Sequence, residues 1–220
     1  MASAAAPAAP TPSGATASAP AASAASAPSS APPSAPEGEE QGHIDETNVY
    51  ARDRAAAALE VPLTDVSGHP LPQTNERPST KTASFEARMS LIERAIKFGH
   101  AEDALPAFFP VGAYAQVKDI PEPEKDWEHR LVGAFRRDLA EYRKKLGPGA
   151  EKSILVNVSV PEAQARFMKR GSEGNRVGYY RVLRSRLTFR LASGKERSFE
   201  VTSMISWRGE WYVVHLHGFR

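Results

Sequence analysis

Two histidines near the end of the chain are the first candidates for chemistry. They stand in the stretch SWRGEWYVVHLHGF as His215 and His217, with one residue between them. Side chains two positions apart on a β-strand point to the same side, as a pair of metal ligands must. No third ligand has a telling spacing, because His100 and His129 belong to the predicted helical part. We expect structural hydrogen bonds from this pair, with a pocket-lining or catalytic role as the alternative, and no metal or cofactor.

Acid–base catalysis would need a carboxylate that faces a tyrosine or a second acid. Asp103 is the candidate base, and the candidate acids are Tyr114, Tyr179 and Tyr180. Asp103 also stands where a helix needs an N-cap, and this structural interpretation is the favoured one. The sequence has no Ser-His-Asp signature, P-loop or dinucleotide-binding glycine pattern. The candidate catalytic residues are therefore Asp103, Tyr114 and His215, and no motif joins them.

Basic residues are concentrated in the C-terminal part of the chain. Residues 151–220 hold 13 basic and 6 acidic side chains, whereas residues 1–80 hold 3 basic and 9 acidic ones. In RVLRSRLTFRL, one predicted face holds Leu183, Leu187, Phe189 and Leu191, and the other holds Arg184, Arg186 and Arg190. Binding of single-stranded nucleic acid needs aromatic and basic groups on one exposed face. Because the alternation separates them, we expect a solvated basic face and no nucleic-acid partner.

Three helices are predicted to precede the strands. The predicted buried stripes are Phe85, Met89, Ile92 and Ile96 in the first helix, and Leu131, Phe135, Leu139 and Tyr142 in the third, which runs from about Trp127 to Leu146. A short second helix opens at Asp103 and is limited by two prolines, and Phe108 and Phe109 beside it are predicted core anchors.

The remaining chain has the composition of β-strands. The predicted strands are residues 154–160, a hairpin around the loop GSEGN, residues 181–191, residues 198–207 and residues 212–217. Gly209 can take the positive φ that a tight hairpin turn needs. Because the last strand is apolar on both faces, we expect it to be central in the sheet or covered on both sides.

The chain divides into three parts by composition. Residues 1–36 contain Ala, Pro, Ser, Thr and Gly almost alone, so we expect a disordered linker. Residues 37–81 form a mostly irregular lead-in segment, and residues 82–220 form the folded domain. The chain has no cysteine and no stretch that could span a bilayer. A linker of this composition favours the cell envelope or periplasm slightly over the cytoplasm, with a signal or lipobox missing from this chain.

The order of elements and two segments resemble the NTF2-like superfamily, which includes SnoaL-like and ketosteroid-isomerase-like proteins. The segments are the final W-x-V-V-H-L-H, residues 211–217, and AEDALPAFFP after the first helix. The resemblance covers about residues 83–219. It implies an α+β cone in which three helices pack on a curved antiparallel sheet around a pocket. The long charged third helix and the Ala/Pro-rich start depart from the family pattern.

The resemblance implies two kinds of function. The first is non-catalytic binding of a small apolar ligand or a protein partner, with a homodimer through the sheet as one assembly. The second is acid–base catalysis of the isomerase, dehydratase or cyclase type on a hydrophobic molecule. The predicted pocket-lining residues are Phe108, Phe109, Tyr179, Trp211, His215 and His217. Binding is the favoured interpretation.

Overall fold

A computed structural model describes residues 62–218 of the chain. Within these residues the protein has four α-helices, followed by five strands that form one antiparallel sheet. The predicted α+β class is thereby confirmed. The predicted linker, residues 1–36, and the lead-in segment up to residue 61 lie outside the described residues. In the described range, no helix combines the length and the apolar composition that crossing a membrane requires.

The first helix, α1 (Ala83–Phe98), follows the predicted apolar periodicity. The hydroxyl oxygen of its N-cap, Thr82, accepts a hydrogen bond from the amide of Phe85 at 3.2 Å. The helix ends at Gly99, whose φ of 83° is left-handed and carries no steric cost for glycine. The whole predicted stripe is buried: Phe85, Met89, Ile92 and Ile96.

The rest of the helical part is more divided than predicted. The elements in order are a 3₁₀-helix (Ala101–Ala107), α2 (Val111–Val117), α3 (Pro123–Asp126), a π-helix (Trp127–Val132) and α4 (Gly133–Leu146). The expected count of three helices is wrong, because VGAYAQV forms a separate helix between two prolines and because the π-helix divides the last one. The N-cap assignment of Asp103 is also wrong, since the 3₁₀-helix already begins at Ala101 with His100 as its cap residue.

Helix α4 is fixed to the sheet by Tyr142. The ring of Tyr142 stacks on that of Phe199, with the centroids 4.5 Å apart. Its hydroxyl oxygen lies 2.6 Å from the backbone carbonyl oxygen of Glu200 and 2.8 Å from that of Leu216, and its single proton is shared between these two acceptors. The predicted stripe of this helix is buried as expected: Leu131, Phe135, Leu139 and Tyr142.

The sheet is arranged around one long strand. The strands are β1 (Ile154–Ser159), β2 (Arg166–Met168), β3 (Tyr179–Arg190), β4 (Glu196–Trp207) and β5 (Glu210–His215). β3 pairs with β4 along one side, and along the other side with β1 at one end and β2 at the other. β5 pairs with β4 and is last in the strand order. The predicted hairpin around GSEGN is present, but its loop is longer and covers residues 169–178.

The turn between β4 and β5 is the tight turn that the sequence predicts. Arg208 and Gly209 have φ values of 49° and 79°. Positive φ at both central residues is the pattern of a type I′ turn, whose twist matches that of the flanking strands. Trp207 and Glu210 are paired across it. The stretch SWRGEWYVVHLHGF therefore contains the closing hairpin of the sheet.

The last strand, β5, is covered but not central. It lies at the end of the strand order, so the prediction of a central position is wrong. Its side chains from Trp211 to Val214 are nevertheless buried, which confirms the prediction of cover on both faces. Its outer edge is also covered, because the amide of Phe109 donates to the carbonyl of Val213 at 3.0 Å.

The alternation along β3 breaks at Arg184, which has a φ of 61°. Positive φ in a residue other than glycine is uncommon, and it changes which side chains face the core. Beyond this point Leu187 and Phe189 are buried as predicted. Leu183 is 42% exposed, so its predicted burial is wrong, and Val182 is buried instead.

The described part of the lead-in segment packs beside the closing hairpin. The side-chain amide of Gln73 donates to the carbonyl of Ser206 at 2.9 Å, and its oxygen accepts from the amide of Arg208 at 2.6 Å. Leu63 packs against the core, whereas Val66 is fully exposed. The sequence leaves open whether this segment is loose, and these contacts attach it to the domain.

Candidate functional site

A cleft of about 330 Å³ lies between β5 and the helical stretch formed by the π-helix and α4. Its apolar lining is buried or half-buried and consists of Leu131, Ala134, Phe135 and Val214. Its polar lining consists of Arg130, Arg137, Asp138, Glu141, His215 and His217. The structure thus brings the two histidines of the sequence analysis together in one cleft. An apolar floor with a charged rim is the usual form of a small-molecule site.

His215 is held at the end of β5 by a residue on the neighbouring strand. Ser203 is paired opposite it in the sheet, and its hydroxyl lies 2.8 Å from Nδ1 of His215. Burial, and after it the positive charges of Arg130 and Lys118, lower the pKa of His215 to about 4. The imidazole is therefore neutral at neutral pH, with one nitrogen as a donor and the other as an acceptor.

His217 follows the end of β5, so the two histidines do not share the strand as predicted. Its backbone amide donates to Oδ2 of Asp138 at 3.1 Å. Its Nδ1 is buried and has no hydrogen-bond partner within residues 62–218. In the same range, there is no group of three or more His, Asp or Glu side chains that could hold a metal ion. Because an unpaired buried nitrogen is costly, a polar ligand group that reached it would be stabilised.

Tyr114, Asp126 and Arg130 form a hydrogen-bonded cluster that reaches the cleft through Arg130. The hydroxyl of Tyr114 donates to Oδ2 of Asp126 at 2.5 Å. Arg130 donates to the same carboxylate oxygen at 2.6 Å and to the hydroxyl oxygen of Tyr114 at 3.1 Å. Burial, and after it the Asp126 carboxylate, raise the pKa of Tyr114. The hydrogen bond from Arg130 holds the pKa of Asp126 below its usual range, so the carboxylate is ionised and the tyrosine protonated at neutral pH.

Each member of this cluster comes from a different element. Helix α2 carries Tyr114, α3 ends at Asp126 and the π-helix carries Arg130. π-Helical turns occur frequently at functional sites. Asp126 and Arg130 are not among the residues that the sequence predicted for a site, although their spacing of four residues is that of an ion pair on one helix face. No sequence pattern predicts the contact of this pair with Tyr114, because the contact depends on the way the chain turns between α2 and α3.

The other acid–base candidates lie apart from this cluster. Asp103 forms an ion pair with Arg94 at 3.8 Å. The hydroxyl of Tyr179 donates to Oε2 of Glu173 at 2.8 Å. Tyr180, the neighbouring residue of β3, packs edge-on against an aromatic ring of β2. None of these three contacts joins Asp103 to a candidate tyrosine.

The aromatic residues predicted to line a pocket lie in the core. Phe108, Phe109 and Trp211 have no exposed surface. Phe108 packs on Phe135, with the centroids 4.6 Å apart, and Phe109 packs edge-on against Trp207 at 6.4 Å. Their rings are in contact with other protein side chains, and Phe135 is the aromatic residue that borders the cleft.

No protein-family model, curated protein or solved structure matches this chain. Neither a substrate nor a partner is therefore carried over from a relative. The geometry of the cleft and the order of the secondary-structure elements are the observations that bear on function.

Proposed function

We propose that residues 82–220 form a non-catalytic binding domain of NTF2-like architecture, which takes a small apolar ligand in the cleft between α4 and β5. The order of helices first, then antiparallel strands that end in a tryptophan hairpin, supports the architecture. We also propose that the domain has the cone shape of that architecture. From composition, we further propose that residues 1–36 act as a linker and that the protein is located in the cell envelope.

The observation that carries the proposal is the lining of the cleft. Leu131, Phe135 and Val214 offer apolar surface, and burial of apolar surface is the main favourable contribution to binding. Arg130 and Arg137 at the rim can hold a polar or anionic end of the same molecule. We therefore favour a largely apolar molecule with one polar end over a protein partner, because a cleft of about 330 Å³ is of small-molecule size.

The state of the titratable groups supports binding without catalysis. A general base needs a pKa near the working pH and a free lone pair. Asp126 is ionised but already accepts three hydrogen bonds, one from Tyr114 and two from Arg130, which leaves it little capacity to take a substrate proton. The pKa of Tyr114 is raised, which makes it a poor acid, and His215 is neutral with a pKa of about 4.

Acid–base catalysis is the second candidate, and one observation favours it. The hydroxyl of Tyr114 and the carboxylate of Asp126 are joined by a short hydrogen bond of 2.5 Å. Arg130, which donates to both of them, lines the cleft that also holds His215. An NMR titration of the His215 ring separates the two functions. A pKa near 4 supports binding, whereas a pKa close to 7 would make His215 a competent base and favour the enzyme.

The binding proposal is tested with a fluorescent probe that has aromatic rings and one sulfonate, such as anilinonaphthalene sulfonate. Ala134 lines the cleft from α4, and Ala134→Phe would fill it. We expect the substitution to abolish saturable, one-to-one probe binding to the folded protein.

Ala140→Phe is the matched control, because Ala140 lies exposed on the same helix. It makes the same chemical change away from the cleft, and probe binding should persist. Equal binding by both variants, with unchanged circular dichroism, would show that the cleft is not the binding site.

A further inference from the structure

One edge of the sheet is interrupted in the middle of β3. β1 pairs with residues 186–190 of this strand, and β2 pairs with residues 179–181. No strand within residues 62–218 pairs with Val182, Leu183, Arg184 or Ser185 on that side. The chain between β1 and β2 instead forms a short 3₁₀-helix (Glu162–Gln164) at this point.

A groove of about 540 Å³ lies at the interruption. Its described lining consists of Ala163, Gln164, Ala165, Arg166, Arg181, Leu183 and Arg184. Three of these side chains are cationic and none is acidic. Arg166, Leu183 and Arg184 are exposed, and Arg181 is half-buried. The groove therefore combines an open, strongly positive surface with one exposed apolar side chain.

The arginines of the groove are only partly neutralised. Arg166 and Arg181 are directly opposite each other on β2 and β3, an arrangement of like charges that is unfavourable in a sheet. Arg181 is paired with Glu173. Within residues 62–218, no carboxylate forms an ion pair with Arg166 or Arg184. A bound anion would relieve this repulsion.

The backbone of Arg184 is itself unusual. Its φ of 61° lies in the left-handed region, which is unfavourable for a residue with a long side chain. Residues held in such conformations are concentrated at ligand-binding and active sites. Here the conformation places Arg184 among the residues that line the groove.

From these observations we propose a second binding site, in which the groove takes a small molecule that carries two or more oxyanion groups, either phosphate or carboxylate. Guanidinium groups bind both of these anions through paired hydrogen bonds. Arg166 and Arg184 hold the anionic groups, and the carbon part of the ligand lies against Leu183. This site is on the β1–β2 side of the sheet, separate from the cleft between α4 and β5.

Titration calorimetry at low ionic strength, with pyrophosphate and with citrate as probes, tests the proposal. We expect one-to-one binding of at least one probe, weakened by added sodium chloride. Stronger binding of pyrophosphate identifies phosphate as the natural group, and stronger binding of citrate identifies carboxylate. Arg166→Gln and Arg184→Asn should each weaken binding by about tenfold or more, since hydrogen bonds between charged groups are the strong ones. Asn is chosen at position 184 because it tolerates a positive φ.

Arg190→Gln is the control, because Arg190 is an exposed arginine of the same strand that is already paired with Glu196. It removes the same charge and should leave the affinity unchanged. Arg166 is exposed on β2, so Arg166→Gln keeps the test valid even if the variant at position 184 does not fold.

Three results would overturn the proposal. The first is that neither probe binds. The second is that Arg190→Gln weakens binding as much as Arg166→Gln, which would indicate an effect of net charge alone. The third is that an acidic peptide or a single-stranded oligonucleotide binds through Arg166 and Arg184 while both small anions fail, which would make the groove a macromolecular surface.

Discussion

The two edges of the sheet are finished in opposite ways. At the β5 edge, aromatic side chains pack on both faces and Phe109 bonds the outer backbone of Val213. At the other edge, β1 and β2 share the side of β3 and leave an interruption that is lined by arginines. The first edge is closed by apolar packing, and the second is open and charged.

This difference separates the part of the domain that stabilises the fold from the part that is available for binding. Unpaired strand edges invite association with other chains, and proteins protect them by covering them or by placing charges there. The domain uses cover at β5 and charge at the interruption in β3. Substitutions at the β5 edge should therefore change stability, and substitutions at the interruption should change binding.

The largest effect is expected for Trp211→Ala at the closed edge. The side chain of Trp211 has no exposed surface, and emptying a buried aromatic site costs about 3–5 kcal/mol. Chemical denaturation of the variant and the parent protein measures this loss. A loss below about 1 kcal/mol would mean that the closed edge does not stabilise the fold as its packing indicates.

Two leucines of β3 differ in burial, so they test how the cost of a substitution depends on position within one strand. Leu187 is buried and Leu183 is 42% exposed, so the same substitution by alanine should give different results. We expect Leu187→Ala to cost about 2–5 kcal/mol and Leu183→Ala about 0.5 kcal/mol or less. Equal losses in urea unfolding would place Leu183 in the core and contradict the interruption of the strand at Arg184.

Acidification should weaken the domain through His215. The folded-state pKa of about 4 lies below the ordinary value of 6.5, so the unfolded state binds the proton more readily. The contribution of this group to stability is complete above pH 6.5 and is lost as the pH falls towards 4, with a slope of at most about 1.4 kcal/mol per pH unit. Unfolding free energies measured across this window should fall less steeply for His215→Gln. An identical slope in both proteins would show that the histidine is not the titrating group.

A small effect is expected at the backbone of the open edge. Arg184→Gly should stabilise the protein by about 0.5–1 kcal/mol, because glycine adopts positive φ without strain and this gain exceeds its greater freedom in the unfolded chain. Arg186→Gly, at an exposed position of the same strand without positive φ, should instead destabilise by a similar amount. Thermal unfolding of the pair measures the difference. If both variants lost stability equally, the left-handed conformation of Arg184 would carry no strain.

Local patterns in the sequence predicted the features that depend on neighbouring residues. The stripe of α1, its end at Gly99 and the turn at Gly209 are each decided within a few positions, by periodicity or by the φ that glycine permits. The prediction from the alternation along β3 was wrong at Leu183, because nothing in the sequence indicates that Arg184 adopts a left-handed backbone conformation. The position of β5 at the sheet edge also depends on contacts between distant segments, which the sequence pattern does not contain.

The candidate site was predictable only in part, for the same reason. His215 and His217 are recognisable in the sequence, and both line the cleft. The partners that decide the chemistry of His215, namely Ser203 and Arg130, come from another strand and from the π-helix. Burial of the imidazole is a property of the assembled domain, so its lowered pKa could not be read from the motif.

The geometry of the cluster that contains Arg130 depends on the number of residues in the π-helix (Trp127–Val132). Each residue of an α-helix turns the chain by about 100° around the helix axis. A π-helical turn contains one residue more than an α-helical turn. Deleting one residue here would let α3 and α4 join as a regular α-helix while Tyr142 kept its contacts with the sheet. Asp126 would then rotate away from Tyr114. Deletion of Glu128 or His129, neither of which belongs to the cluster or lines the cleft, would therefore break the Tyr114–Asp126 hydrogen bond without altering any residue that forms it.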